Sequence, residues 1–276
     1  MSVATTPDFR TFEARAADLV AGHPVVVANP YTPWFATGAA TRADVRHLTV
    51  QFSVFSHLFV EAQLRKVINA ADVDGYRAGK EILLNELGVV FQPVGERPVR
   101  APAGYPGRRG EPTMEMGTVD GGTFRFAAAH FEWLVKFAEP LGLGFTDIGK
   151  RRHGTASTLF FCDELMRLYG SDDASTAEGA SFAVEHWAAA GFWKELIAGL
   201  RTFKENECPE LPLGFWTFHD QLEDQHAAHT EDELREAFET EGFDEGRFLH
   251  GASEMLGGVH AFWQGLADSR TAAARS

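Results

Sequence analysis

An all-α bundle in a single domain is the fold that the sequence predicts, and three observations carry that prediction. Apolar residues recur every three or four positions through most of the 276 residues, the spacing that gathers them on one face of an α-helix. Helix-start signals of the Thr/Ser-x-x-acid kind stand ahead of several of these runs. Pro- and Gly-rich, strand-prone sequence is concentrated in one stretch, residues 89–123, which reads as an irregular insertion open to a hairpin. With 45% apolar residues, 23 Phe and 6 Trp, the chain can bury a large core.

Along the chain, "TRADVRHLTVQFSVFSHLFVEAQLRKVINA" opens with Thr41 and Asp44 as a start signal and carries Leu48, Phe52, Phe55 and Phe59 on one stripe. "DGYRAGKEILLNELG" predicts a helix stopped by Gly88. Beyond the insertion, helical spacing resumes at "FRFAAAHFEWLVKFAEPLGLG" and again at "TASTLFFCDELMRLYG". "STAEGASFAVEHWAAAGFWKELIAGL" starts at a Ser175…Glu178 capping box. Pro209, Pro212 and Gly214 separate it from "FWTFHDQLEDQHAAH", after which "TEDE" starts another helix and "EGRFLHGASEMLGGVHAFWQGL" forms the last.

Composition narrows the function. A formal net charge of -14 argues against a nucleic-acid backbone or an anionic membrane surface as main partner. Two isolated cysteines, Cys162 and Cys208, make neither a zinc ribbon nor a disulfide framework. The N-terminus lacks the basic start and apolar run of a signal peptide, and no window holds eighteen uninterrupted apolar residues. A cytoplasmic protein is the expectation.

The chemistry gathers in residues 215–229. On a helix turning about 100° per residue, Glu223 lies about 40° from His219 and His226 about 20° to the other side, so the three share a stripe. Asp220 and Asp224 point away, and His229 stands about 80° off. The plain alternative is a solvated charged face. Two imidazoles and a carboxylate on a half-buried stripe are costly without partners, and two His with one carboxylate suit ferrous iron with open positions. Glu185 stands among Phe182, Ala189 and Phe192 at helical offsets, where a carboxylate needs a partner, an Arg or a metal. His130 shares a stripe with Leu134, Phe137 and Leu141, and Glu86 closes an apolar helix. Glu61, on the preceding helix, competes with Glu86. His186 points about 100° from Glu185 and reads as a surface or supporting residue.

Other metal and nucleotide plans are missing. Glu223 and His226 make one Glu-x-x-His, where ferritin-like di-iron proteins need two. His-Glu-x-x-His, the phosphate-loop pattern and the Gly-x-Ser-x-Gly elbow are absent.

The combination of "NELG", "AHFEWL…LGL", "FAVEHWAAAGFW", "FHDQLEDQH" and "FLHGASEMLGGVHAFWQGL" resembles the haem-oxygenase-like di-iron oxidases and oxygenases, over about residues 45–267 of one domain spanning 1–276. The resemblance implies a seven-helix haem-oxygenase-like bundle with two Fe(II) ions held by Glu86, His130, Glu185, His219, Glu223 and His226. Glu223 stands where the family commonly has Asp. Glu86 and His130 are 44 residues apart in the chain, so the insertion has to interrupt the helix that bears them. The implied activity is O2-dependent oxidation of a small amine- or amino-acid-derived substrate in natural-product biosynthesis. It would proceed by N-oxygenation, oxidative C–C cleavage or desaturation. An external electron donor and a homodimer are both compatible with it. For the substrate, Arg151 and Arg152 are candidates to hold a carboxylate, and Trp133 and Tyr169 to line a pocket. The competing expectations are a metal-independent enzyme of the same bundle, like pyrroloquinoline-quinone synthase or thiaminase II, and a non-enzymatic helical binding protein.

Overall fold

The computed structural model describes residues 8–93, 115–119, 122–226 and 230–273. In chain order the helices are α1 (Phe9–Ala21), α2 (Pro24–Val27), α3 (Thr32–Ala36), α4 (Arg42–Ile68), α5 (Val73–Glu86), α6 (His130–Ala138), α7 (Ala156–Tyr169), α8 (Ala174–Ala189), α9 (Phe192–Glu207), α10 (Gly214–His226), α11 (Thr230–Glu239) and α12 (Glu245–Ala273). Strands β1 (Val89–Pro93), β2 (Glu115–Val119) and β3 (Gly122–Phe126) lie between α5 and α6. The bundle is the predicted all-α architecture, and the insertion carries a three-stranded antiparallel sheet of order β1-β3-β2.

Helix α4 begins where the sequence placed it. The Thr41 hydroxyl accepts from the Asp44 amide, and the Asp44 carboxylate accepts in return from the Thr41 amide at 2.9 Å. Gly88, with φ +66°, follows α5 as expected. Three boundaries differ. Ser175 does not cap α8; Asp173 does, accepting from the Thr176 amide at 2.9 Å while pairing with Arg247. The predicted run from Ser175 is cut in two at Gly191, whose φ of +99° turns the chain from α8 into α9. The residues Phe124–Phe126, read as helix, pair as β3 because β1 and β2 offer hydrogen bonds on both sides. The amphipathic α1, which buries Phe12, Ala16 and Val20, was not anticipated.

Helix α12 packs against α7 and α8, and α4 against α5, α6 and α7. The α8–α12 seam is unusually close. A Cβ on Gly179 would collide with the Phe248 carbonyl, and one on Gly251 with the Thr176 carbonyl. The aromatic core centres on Phe52, whose ring lies 4.9 Å from Trp216, 5.7 Å from Trp193 and 5.2 Å from Phe55. Burying each such side chain stabilises the fold by roughly 1.5–3 kcal/mol. Both cysteines are buried and free. No helix among the described residues is long and apolar enough to cross a membrane.

Candidate functional site

Glu86 and His130 meet through the sheet. The chain leaves α5 at Glu86, turns at Gly88 and enters β1. It returns along β3 with Val89 paired to Phe126. The Ala127 amide then donates to the Gly88 carbonyl at 2.7 Å. A Cβ at Gly88 would strike the Ala127 carbonyl, so the closure needs glycine for space as well as for its positive φ. The Glu132 carboxylate accepts from the Ala129 amide at 2.6 Å and starts α6 with His130 in its first turn. The outcome is a buried contact, Glu86 Oε1 to His130 Nδ1, of 3.0 Å. Glu61, the competing acid, is on the surface and pairs with Arg65 at 2.9 Å.

Helix α10 brings His219 to the same place. Its Nδ1 lies 2.7 Å from the Phe215 carbonyl one turn back. A carbonyl only accepts, so Nδ1 carries the proton and Nε2 the lone pair, the arrangement that outer partners impose on metal-binding histidines. Trp193 stacks on the ring at 5.0 Å and Phe215 covers it at 4.2 Å. The His130 ring stands 4.8 Å away at 75°.

Glu86, His130, Glu185 and His219 all line one cavity of about 810 Å³. Its apolar wall includes Phe52, Phe55, Trp187 and Trp193. Tyr169 also lines it, fully buried, and its hydroxyl is pushed well above the usual tyrosine range, first by burial and then by the nearby Glu185 charge. His186 is a correction. It lines the same cavity, with Nδ1 2.8 Å from the Phe182 carbonyl and its ring 3.6 Å from the Phe182 ring. Burial holds its pKa below the ordinary histidine value. Lys66 lines the cavity too and was not singled out from the sequence. The available signal was its position, seven residues after Phe59 on the stripe of Phe52 and Phe55.

Other candidates sit elsewhere. Arg151 pairs with Asp163 at 2.7 Å on the surface, and Arg152 donates to the Thr146 carbonyl at 3.1 Å. Neither is among the cavity-lining residues, because the turn that bears them folds against its own neighbours. Trp133 is buried, 5.4 Å from the Phe218 ring, and is likewise outside the lining. The side chains of Glu223 and His226, and the whole of His229, lie outside the described residues. Among the described residues, no group of three or more His, Cys, Asp or Glu side chains is placed to hold a metal ion. What the described residues offer is a converged Glu86–His130 pair, His219 beside it and Glu185 in the same cavity. These oxygen and imidazole donors fit the chemistry of iron.

Comparison with known proteins identifies the fold. No family model matches the sequence. No curated protein matches it either. Solved structures do. A CADD-like protein of unknown function from Nostoc punctiforme is 17% identical with a TM-score of 0.62, covering 95% of this chain and 97% of its own. A domain of unknown function with a heme oxygenase-like fold from Shewanella denitrificans is 12% identical with a TM-score of 0.62, over 97% of this chain and 95% of that one. A TenA homolog from Pseudomonas syringae pv. tomato is 9% identical with a TM-score of 0.59, over 93% and 89%. The chain therefore has the haem-oxygenase-like fold along nearly its whole length.

Proposed function

We propose that this protein is a non-haem di-iron, O2-dependent oxidase or oxygenase of a small amine- or amino-acid-derived substrate, serving natural-product biosynthesis. The observation that carries the reading is the buried 3.0 Å approach of Glu86 and His130, residues 44 apart in the chain, beside His219 in one cavity. Glu86, His130, Glu185 and His219, with Glu223 and His226, would hold two ferrous ions. When bound, that pair supplies the electrons and open positions that activate O2. The chain's own residues prepare the place. Phe215 fixes the His219 tautomer, and Glu86 orients the His130 ring. Trp193 and Phe215 hold His219 against rotation, and Phe52, Phe55 and Trp187 give the cavity an apolar wall beside it. An external donor would restore the electrons after turnover.

The test begins with metal-free protein and ferrous iron in the absence of oxygen. About two equivalents should bind, as six protein ligands of this kind would hold. Admitting O2 should then give a transient visible absorption, lost in His219→Ala and Glu185→Ala. Failure to bind iron overturns the reading. One observation favours a second reading, a metal-independent enzyme of the same bundle. The TenA homolog shares the fold. Full turnover of a substrate by the chelator-treated protein would select that alternative.

A further inference from the structure

The cavity's charge is one-sided. Lys66 is the one lysine or arginine among the described residues that line it, and it shares the lining with Glu86, Asp173, Glu178 and Glu185, with Asp72, Glu236, Glu239 and Glu241 exposed towards solvent. Lys66 is itself largely buried, its side chain 14% exposed. Its Nζ donates to the Ser181 hydroxyl at 2.8 Å, and its nearest carboxylate oxygen among the described residues, Glu178 Oε2, is 3.9 Å away. The Tyr169 ring lies 6.0 Å from the same ammonium. The Tyr169 hydroxyl is buried and lacks a hydrogen-bond partner among the described residues, with Ser181 beside it but outside hydrogen-bond geometry.

A buried ammonium with one neutral acceptor and one long ion pair is poorly compensated. A buried hydroxyl with no partner costs about 1–3 kcal/mol. A single carboxylate would satisfy both, taking a charge-assisted bond from Lys66 and a proton donor from Tyr169. The surrounding acids would repel a simple anion, and a bare amine would leave Lys66 unmatched. A zwitterion satisfies both halves of the cavity.

We propose that Lys66, with Tyr169 and Ser181, anchors the carboxylate of a free amino acid, whose ammonium faces the carboxylates of the same cavity. This rests on the reading of the cavity as the substrate site, and it replaces Arg151 and Arg152 as the carboxylate-holding group.

The experiment is binding to the full-length, metal-free protein, followed by calorimetry and ligand-detected NMR. The probes are the standard amino acids, each set against its decarboxylated amine and its deaminated acid. The same titrations are repeated with ferrous iron under anaerobic conditions. At least one amino acid should bind, about tenfold or more tighter than its amine and its acid, the effect of one charge-assisted contact. Lys66→Met should weaken that amino acid by about tenfold or more and leave its amine unchanged, while Lys66→Arg keeps most of the affinity. Tyr169→Phe should cost a smaller factor. The proposal is overturned if no amino acid binds, if amine and amino acid bind equally, or if Lys66→Met binds like the native protein. Should Lys66→Met fail to fold, Lys66→Gln against Lys66→Arg gives the same comparison. The metal-free titrations keep the two ideas apart. A protein that binds an amino acid through Lys66 but takes up no iron sinks the di-iron reading and leaves this one standing.

Discussion

The two sides of the cavity are assembled in opposite ways. On α10, one continuous helix, His219 reaches the cavity one turn after Phe215, so its place follows from helical pitch. Glu86 and His130 have no such local rule. A ladder of five paired residues between β1 and β3, closed by Gly88 and Ala127, sets them side by side. The first arrangement is made by local geometry and held by packing on Trp193 and Phe215. The second depends on a long excursion of the chain that must close before the pair exists. A site half local and half non-local can lose either half independently.

The strongest way to break the comparison is on the packed side. Trp193→Ala should destabilise the protein by about 3–5 kcal/mol, the range for deleting a buried tryptophan, and should release His219. Urea denaturation measures the first effect and the titration shift of the His219 ring the second. A loss under 1 kcal/mol would mean that α10 is held by something other than this stack.

Next in size is the closure. Gly88→Val forces a β-branched side chain into positive φ and against the Ala127 carbonyl, at a cost of about 1–3 kcal/mol. Hydrogen exchange at the Ala127 amide should accelerate while amides in α10 keep their protection. Equal acceleration in both regions would show that the two halves are one cooperative unit.

A double-mutant cycle on Glu86→Gln and His130→Ala sharpens the same point. A coupling energy of about 1–3 kcal/mol is expected for a buried charged hydrogen bond. A value near zero would mean that the two side chains meet without holding one another.

The smallest effect concerns how α6 is tied to the bundle. The His57 ring of α4 stacks on Phe131 at 4.0 Å, and its Nδ1 lies 2.8 Å from the Gly149 carbonyl. Burial, and to a lesser degree Lys150, hold its pKa below the ordinary value, against the opposing pull of the Gly149 bond. A histidine depressed on folding contributes stability that is complete above its unfolded pKa, near 6.5, and is lost as pH falls through the folded value. Denaturation midpoints should therefore drop between pH 7 and pH 5, and less so in His57→Asn. An unchanged pH slope in the variant would remove His57 as the cause.

The same division explains what could be read in the sequence. The bundle was legible because Phe52, Phe55 and Phe59 repeat at the helical period and Thr41 and Asp44 announce a start. Glu185 and His219 were legible as polar residues on apolar stripes. The 3.0 Å approach of Glu86 to His130 was not, since only pairing register reveals it. Asp173 outcompeted Ser175 as a cap because Arg247, 74 positions on, pairs with it. Arg151 and Arg152 looked available because a basic turn does not reveal that Asp163 and the Thr146 carbonyl await it. Lys66 and His186 went unrecognised as cavity residues for the converse reason. A charged residue near a helix end and a histidine beside a stronger candidate look ordinary until opposing helices enclose them.

The backbone contact that Gly179 and Gly251 allow between α8 and α12 has its own consequence. Carbonyl and α-carbon are in touch there with no side chain between them to rearrange, so this seam has little give. Glu185 rides on it. When forms of the protein with different contents are overlaid, α8 and α12 are the frame to align on, and displacement should be sought in α5, α6 and α10. The wall that carries Glu185 is fixed, so the cavity adjusts to its contents from the three other helices, α5, α6 and α10.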